Sequence, residues 1–335
     1  SAHYSDLHNC LKKDSFTLSS AYFDGYYTNK QLVNFNMDCL RASDRALEWL
    51  ENQEWFDKLN LSQKWLIRFS SWFFLFFVNQ QAYIALHESG HALRYKAFGL
   101  DYSFYKDIES NGDVEKNIFS YYFKRMTFQC GRGGACGSEG LGGKYEGKTI
   151  PFSDYYDYRI IISAGGLNNE MLLSESIGYD MFARNNVDSI SWAIYLKERI
   201  SGASYDDIAA NKDDDVSYDP TGIITAFNAK GREDFKKGTI KTAGTMSTFL
   251  SATTYSILIG KPIVFFGFRV PDVYPYITTR GMSYKVVSGY EVNEDTRLLF
   301  GFESVFGREA ATEYSIGIDM QLPISYKCTA TFGLG

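Results

Sequence analysis

Residues 61–99 read LSQKWLIRFSSWFFLFFVNQQAYIALHESGHALRYKAFG, and this stretch decides the fold of the chain. It contains no Pro, Ser62 is a suitable N-cap, and Gly99 is a typical residue just beyond a helix C-terminus. The stretch therefore predicts one long helix over 62–98. Its residues 69–86 carry no charged side chain, but their Ser, Asn and Gln favour a buried core helix over a membrane-contacting one.

The second half of this predicted helix holds the pattern HExxH, formed by His87, Glu88 and His91. Two His residues four positions apart lie on one helical face, where both imidazoles can reach one Zn²⁺. Glu88 flanks that face and can accept a proton from a metal-activated water. A shuffled chain of this composition contains the pattern in roughly two of a thousand trials, so we predict a zinc site. The alternative is a pair of structural His beside a surface Glu.

The remaining His residues restrict the choice of a third zinc ligand. Only His3 and His8 are left, both in a polar N-terminal segment, and no His stands at the spacing HExxHxxGxxH. A carboxylate is therefore expected. Glu170, on a second predicted apolar helix, is the best candidate, because a buried carboxylate is costly unless a metal or another partner satisfies it. Glu175 and Asp180 are the reserve candidates.

The chain divides into three parts: an N-terminal cover segment over 1–60, a helical HExxH domain over 61–260 and a C-terminal antiparallel β region over 261–335. Further helices are predicted at 42–59, 155–176, 188–200 and 233–259, and a strand at 117–128. Residues 131–147 hold eight Gly and predict a flexible loop, since no phosphate-binding pattern leads into a helix. The acidic stretch 206–219 lacks the EF-hand register and is predicted to be a solvated loop.

After Pro262 the apolar residues alternate with polar residues and Gly, which predicts consecutive β-strands. The segments around Tyr284, Phe300, Ile316 and Tyr326 each show this period of two and are joined by short turns. The pattern is typical both of a half-buried antiparallel meander and of the hairpins of an outer-membrane-type β-barrel. We therefore expect an α+β protein and leave open whether the strands belong to a barrel.

Composition points to the cell envelope and away from nucleic acid. The chain has 25 Tyr, 26 Phe and 29 Gly, values that are common in extracytoplasmic and outer-membrane proteins. The net charge of −6 provides no general attraction for phosphate backbones, so no nucleic-acid partner is expected. The sequence begins at Ser1 without an apolar leader, which we interpret as removal of a secretory signal. Cys130 and Cys136 bracket the start of the Gly-rich loop. They could form a disulfide or remain free thiols, and the sequence does not decide between the two.

HESGH at 87–91, followed by Asn169-Glu170 on a second helix, resembles the HExxH zinc metallopeptidases of the gluzincin type. By that resemblance His87, His91 and Glu170 hold Zn²⁺ and Glu88 is the catalytic carboxylate. The separation between motif and third ligand is more similar to membrane-associated members of the class. AGGLNN at 164–169 is also similar to the AGPxxN element of site-2 proteases, although the LDG segment that carries their aspartate ligand is absent.

These expectations describe a zinc-dependent metallopeptidase of the cell envelope, in the outer membrane or periplasm. A peptide or protein would be the substrate, the protein would associate with a membrane, and oligomerisation stays open. The alternative is a non-catalytic envelope or outer-membrane structural protein in which the HExxH is vestigial or holds a structural metal. A metal-dependent hydrolase of a non-peptide bond would share the same site and differ only in the pocket.

Overall fold

The computed structural model describes residues 28–100, 102–105, 114–130, 136–137, 152–210, 219–293, 297–306, 314–325 and 328–334. Within them the chain is α+β, with helices as the main elements as far as residue 258 and an antiparallel sheet after it. Both features agree with the prediction from sequence. None of these helices combines the length and hydropathy that crossing a membrane requires.

Eight α-helices lie in this part of the chain. They are α1 (Asn29–Glu51), α2 (Glu54–Asp57), α3 (Leu61–Ala97), α4 (Ile118–Met126), α5 (Phe152–Arg184), α6 (Ser189–Ala210), α7 (Asp219–Ala229) and α8 (Thr239–Leu250). A 3₁₀ helix over Ala252–Leu258 follows α8 directly.

The strands that the structure describes form two antiparallel sheets. A small sheet has the order β2-β1-β3, from β1 (Ser103–Tyr105), β2 (Val114–Glu115) and β3 (Cys136–Gly137). The large sheet contains β4 (Val264–Phe265), β5 (Phe268–Thr278), β6 (Gly281–Glu291), β7 (Arg297–Phe306), β8 (Tyr314–Ser325) and β9 (Cys328–Leu334). Its order is β4-β5-β6-β7-β8-β9, so each strand pairs with its neighbour in sequence and the predicted meander is confirmed. No pairing joins β4 to β9 within these strands, so the sheet is open and closure into a barrel is not supported.

Helix α3 matches the predicted long helix closely. It spans 37 residues, or about 55 Å. Its N-cap is Asn60 rather than the expected Ser62: Asn60 and Gln63 form a capping box through reciprocal side-chain to backbone hydrogen bonds. The helix ends before Gly99, which adopts a φ of 70°.

Helices and sheet share one hydrophobic core. Leu86 of α3, Ile177 of α5 and Ile194 of α6 belong to the same buried cluster as Tyr274 of β5 and Leu299 of β7. The packing therefore continues across residue 261, where the sequence changes from a helical to a strand period.

Three predicted elements need correction. Residues 117–128 were expected to form a strand but contain α4, which Asn117 caps by accepting a hydrogen bond from the Ser120 amide. The predicted helix at 42–59 begins earlier, as α1, and ends at Glu51. The predicted helix at 233–259 is shortened to α8 and the 3₁₀ helix, because Gly238, with a φ of 87°, precedes the first turn of α8. Of the predicted Gly-rich loop only Cys136–Gly137 is described, as β3; the rest of it and the side chain of Cys136 lie outside the described residues.

Candidate metal centre

His87 and His91 lie one turn apart on the C-terminal half of α3 and are both buried, with exposures of 5% and 7%. Their ring centroids are 4.9 Å apart and their Nε2 atoms 3.2 Å apart. Because the side chains of residues i and i+4 lie on the same helical face, the spacing alone brings the two rings together. The structure thus confirms the proximity that the HExxH pattern predicts.

Asp219, the first residue of α7, completes the cluster. Its Oδ2 atom lies 3.0 Å from His87 Nε2 and 3.1 Å from His91 Nε2. Tetrahedral bonds of about 2.0 Å to Zn²⁺ would place ligand atoms about 3.3 Å from each other. The observed triangle of two nitrogens and one oxygen is therefore close to the size that a zinc ion requires.

In the neutral state of both His residues, the three atoms of this triangle are all acceptors. His91 Nδ1 lies 2.7 Å from the Ile162 carbonyl oxygen, and His87 Nδ1 lies 2.5 Å from Glu170 Oε1. Both partners accept hydrogen bonds, so each Nδ1 donates, and a neutral imidazole then keeps a lone pair on Nε2. With both imidazoles neutral, two lone pairs and one carboxylate oxygen face one point, a donor set that could hold a cation.

The charges around this point favour a cation. Burial alone lowers the pKa of His87, but the carboxylates of Glu170 and Asp219 outweigh burial and raise that pKa well above its usual value. Burial likewise opposes the raised pKa of His91, for which Asp219 is the main cause. Burial raises the pKa of Asp219, but the two imidazoles outweigh it and hold this pKa below its usual range. A divalent ion would neutralise the same surplus of negative charge and compete with protons for the site.

Glu170, the predicted third ligand, lies on the other side of the His87 ring. It contacts Nδ1, whereas the Nε2 atoms of both His residues face Asp219. Tyr83 donates its hydroxyl proton to the same Glu170 oxygen over 2.5 Å. A carboxylate in this position fixes the tautomer and the orientation of a metal-binding imidazole.

The two reserve candidates are engaged elsewhere. Glu175 accepts hydrogen bonds from Tyr276 and Lys285 of the sheet, and Asp180 pairs with Arg41 and Arg184. Both lie on α5 beyond Glu170, and the described metal-compatible group does not include them.

Glu88 lies beside the cluster on α3. Its residue exposure is 8%, and its negative charge contributes to the raised pKa of His91. A second buried acid is Glu198 of α6, whose carboxylate oxygens have no hydrogen-bond partner among the residues that the structure describes. Burial and the negative charge of Glu170 raise the pKa of Glu198 well above its usual value, which favours its neutral form.

Three Gly residues let α3 and α5 approach closely enough to build the cluster. A Cβ atom at Gly90 would lie 2.3 Å from the Gly165 carbonyl oxygen, and a Cβ atom at Gly166 would lie 2.5 Å from His87 Nε2. Asn169 fixes the crossing, because its amide donates to the Leu86 carbonyl oxygen. The AGGLNN sequence therefore packs directly against the HExxH turn.

Asn168, the other Asn of the AGGLNN sequence, hydrogen-bonds to strand β5 of the large sheet. Its side-chain amide donates to the Ile277 carbonyl oxygen and accepts from the Ile277 amide, both over 2.9 Å. These two bonds tie β5 to the helix that supports the candidate metal centre.

Asp219 is the residue that sequence reasoning missed, because it was grouped with the solvated acidic stretch. A signal was present: Pro220 follows it, and Pro is favoured in the first turn of a helix. The apolar residues after Pro220 then read as a short buried helix that begins with an acid. What sequence could not provide was the position of α7 against α3.

Comparison of the chain with protein-family models, with curated proteins and with solved structures finds no match. The functional argument therefore depends on the geometry and chemistry of the cluster.

Proposed function

We propose that the protein is a zinc-dependent metallopeptidase in which His87, His91 and Asp219 hold the ion and Glu88 is the general base. The observation that carries this proposal is the convergence of two imidazole nitrogens and one carboxylate oxygen at mutual distances of 3.0–3.2 Å. Two His and one carboxylate are a common protein ligand set of catalytic zinc, which keeps a fourth position for water or substrate.

Each residue has a separate task in this proposal. When bound, Zn²⁺ would polarise the scissile carbonyl group and lower the pKa of the attacking water. The Glu88 carboxylate accepts a proton from that water and returns it to the leaving amine nitrogen. Glu170 keeps the proton of His87 on Nδ1, so that Nε2 stays available as a ligand.

The proposed ligand set differs from the one that the resemblance to gluzincins implies. Glu170 was expected as the third ligand by similarity to gluzincins, whereas in our proposal Asp219 takes that place and Glu170 orients His87. The site-2 proteases, whose AGPxxN element AGGLNN resembles, also have an aspartate ligand, although Asp219 does not stand in the LDG segment that carries theirs. The contact of this sequence with the HExxH turn supports the same comparison.

We place this activity in the cell envelope, with a peptide or protein as the substrate. The support is the excess of Tyr, Phe and Gly in the composition. The sequence of the substrate depends on the shape of the pocket around the ion, and the proposal is limited to the class of bond.

The substitution Glu88→Gln tests the catalytic part of the proposal. It removes the base but none of the three ligands, so zinc content should stay at one ion per chain. Hydrolysis of fluorescein-labelled casein should fall by about 10²–10⁴-fold. Ser89→Ala is the matched control, because Ser89 is buried on the same turn and its hydroxyl donates to the Ala85 carbonyl oxygen of the same helix. Equal hydrolysis by the Glu88→Gln variant and the parent protein would contradict the role of Glu88.

The burial of both His residues favours one alternative, a metal that has a structural role without catalysis. A closed structural zinc site has four protein ligands, whereas a catalytic site has an open position. In the structural case the zinc-loaded parent protein would not hydrolyse casein, and removal of zinc by a chelator would lower its melting temperature.

A further inference from the structure

The N-terminal half of α3 carries a stripe of exposed apolar side chains. Every fourth residue from position 61 to position 77 is large and apolar, and exposure decreases along the helix from 70% to 37%. The five residues are Leu61, Trp65, Phe69, Phe73 and Phe77. Phe69 and Phe73 stack on each other, and Phe73 contacts the Phe77 ring at 4.7 Å, so the stripe is continuous. Leu66 and Phe74, with exposures of 66% and 61%, widen it.

A second exposed apolar stretch lies between the end of α8 and the start of β5. Its exposed members are Phe249, Leu250, Leu258, Ile259, Phe265, Phe266 and Phe268. Their exposures range from 53% to 98%. Such a density of large exposed apolar residues is unusual for a protein surface and marks an interaction site.

The turn between β4 and β5 holds Phe266 in an unfavourable conformation. Phe265 pairs with Phe268, so Phe266 and Gly267 are the two turn residues, with φ values of 51° and 82°. A turn with two positive φ values prefers Asn-Gly, because a bulky residue is strained there. The turn nevertheless has Phe in the Asn position and leaves its side chain 98% exposed. Strain at such a position indicates a function for the side chain.

The two stretches flank the same end of α6. Trp72 of α3 donates its indole proton to Ser189 Oγ at the start of α6. Trp192, one turn later, donates its indole proton to the Thr254 carbonyl oxygen in the 3₁₀ helix. Both stretches therefore belong to elements that contact the N-terminal end of α6, and we call their exposed residues together the aromatic surface.

We propose that the aromatic surface docks the protein onto a lipid bilayer, with the Phe266 turn inserted among the lipids and α3 lying along the membrane interface. Trp72 and Phe76 on the other face of α3 pack against the protein core, so only one face of this helix is available to lipid. Exposed Lys58 and Lys261 border the two stretches and can contact lipid phosphates. The docking does not depend on the peptidase activity proposed above.

A bilayer fits this surface better than a second copy of the chain. An isolated Phe at the tip of a turn would need a matching pocket on a protein partner, whereas fluid lipid accepts it without one. Trp and Phe next to Lys are the composition of helices that lie in the membrane interface. Because α3 rises about 1.5 Å per residue, His87 would lie about 15 Å along the axis from Phe77.

Sedimentation with vesicles of equimolar phosphatidylcholine and phosphatidylglycerol tests the proposal with the full chain. The parent protein should bind, and Phe266→Asn should lower its partition coefficient by about tenfold. The same substitution should leave the melting temperature unchanged or raise it, because Asn relieves the strain in the turn. Loss of binding through misfolding is thereby distinguished from loss of the inserted side chain.

Phe123→Ser is the matched control, since Phe123 is 58% exposed but lies on α4. It should bind vesicles like the parent protein. Vesicles with brominated acyl chains should also quench tryptophan fluorescence less in Trp65→Phe than in the parent.

Three results would overturn the proposal: no binding by the parent, equal binding by the Phe266→Asn variant, or a dimer in light scattering that this substitution converts to a monomer. The last would assign the surface to a second copy of the chain. Zinc content should be the same in all of these variants, so failure of the docking proposal and failure of the metal site are distinguishable.

Discussion

The two halves of α3 depart from the usual distribution of residues in opposite directions. The N-terminal half exposes Trp65, Phe69 and Phe73 to solvent, whereas the C-terminal half buries His87, Glu88 and His91. Stability alone favours neither arrangement, because exposed aromatic rings lose hydrophobic stabilisation and buried polar groups lose their hydration. The comparison teaches that each half of α3 departs from the most stable arrangement in its own way, and each departure coincides with one of the two proposed functions.

The boundary between the halves provides the first way to sharpen this comparison. Asn79 of α3 donates to Ser43 Oγ of α1, and Asp44 next to it is also buried. Burial and then the negative charge of Asp188 raise the pKa of Asp44 to about 7, against the hydrogen bond from Ser191 and the positive charge of Arg184. Asp44 is therefore a buried acid whose ionisation lowers stability. It is not a ligand of the proposed zinc site, so a bound zinc ion would not offset this cost.

Asp44→Asn should have the largest effect on stability, and the effect should depend on pH. The native state binds the Asp44 proton more tightly than the unfolded chain, so stability is lost as pH rises from about 4 to about 7. A pKa about 3 above its ordinary value corresponds to about 4 kcal/mol across that range. Both proteins should be unfolded with urea at a series of pH values. Between about pH 4 and about pH 7 the unfolding free energy of the variant should rise by about 4 kcal/mol relative to that of the parent. A difference that is independent of pH would contradict the burial of a protonated Asp44.

Removing an equally apolar side chain from each half should give the next largest effect. Leu86 is 0% exposed in the C-terminal half, and its replacement by Ala should cost about 3 kcal/mol of unfolding free energy. Phe69 is 63% exposed, and Phe69→Ala should stay within about 0.5 kcal/mol of the parent. Urea unfolding measures both. Similar losses at the two positions would show that the aromatic stripe is packed rather than exposed.

Gly166→Ala should have the smallest of these effects, confined to the candidate metal centre. The new methyl group would displace the His87 ring, so we expect zinc affinity to fall by about tenfold. Gly202→Ala is the control: its methyl group would meet Ile240 Cγ2 at 3.2 Å, away from the His residues. Chelator competition should therefore separate the two variants, and equal zinc affinities would contradict the contact between α5 and His87.

Sequence patterns predicted the parts of the fold that depend on local periodicity. The C-terminal end of α3 was found within one residue because Gly99 marks it, whereas the predicted N-cap, Ser62, lies two residues beyond the observed N-cap, Asn60. The antiparallel meander followed from a period of two. The strand predicted at 117–128 was wrong because the aromatic residues there are common in strands. The buried residues of this segment in fact follow a helical period: Ile118, Tyr121, Tyr122 and Arg125.

The candidate site was predictable only where its residues share a helix. The separation of His87 and His91 is fixed by helical geometry, whereas Asp219 reaches them across 127 or more intervening residues through the packing of α7. The chemistry of Glu170 was partly anticipated: a buried carboxylate does need a partner, and its contact is the imidazole proton of His87. Which nitrogen it faces is a property of tertiary structure.

Zinc affinity measured by chelator competition on the parent protein, Asp219→Ala and Glu170→Gln tests the central claim most directly. The account predicts one zinc ion per parent chain, a loss of more than about a hundredfold for Asp219→Ala, and a loss of about 10–100-fold for Glu170→Gln. A parent protein without zinc affinity would contradict the metal centre. A larger loss for Glu170→Gln than for Asp219→Ala would restore Glu170 as the ligand and refute the assignment of Asp219.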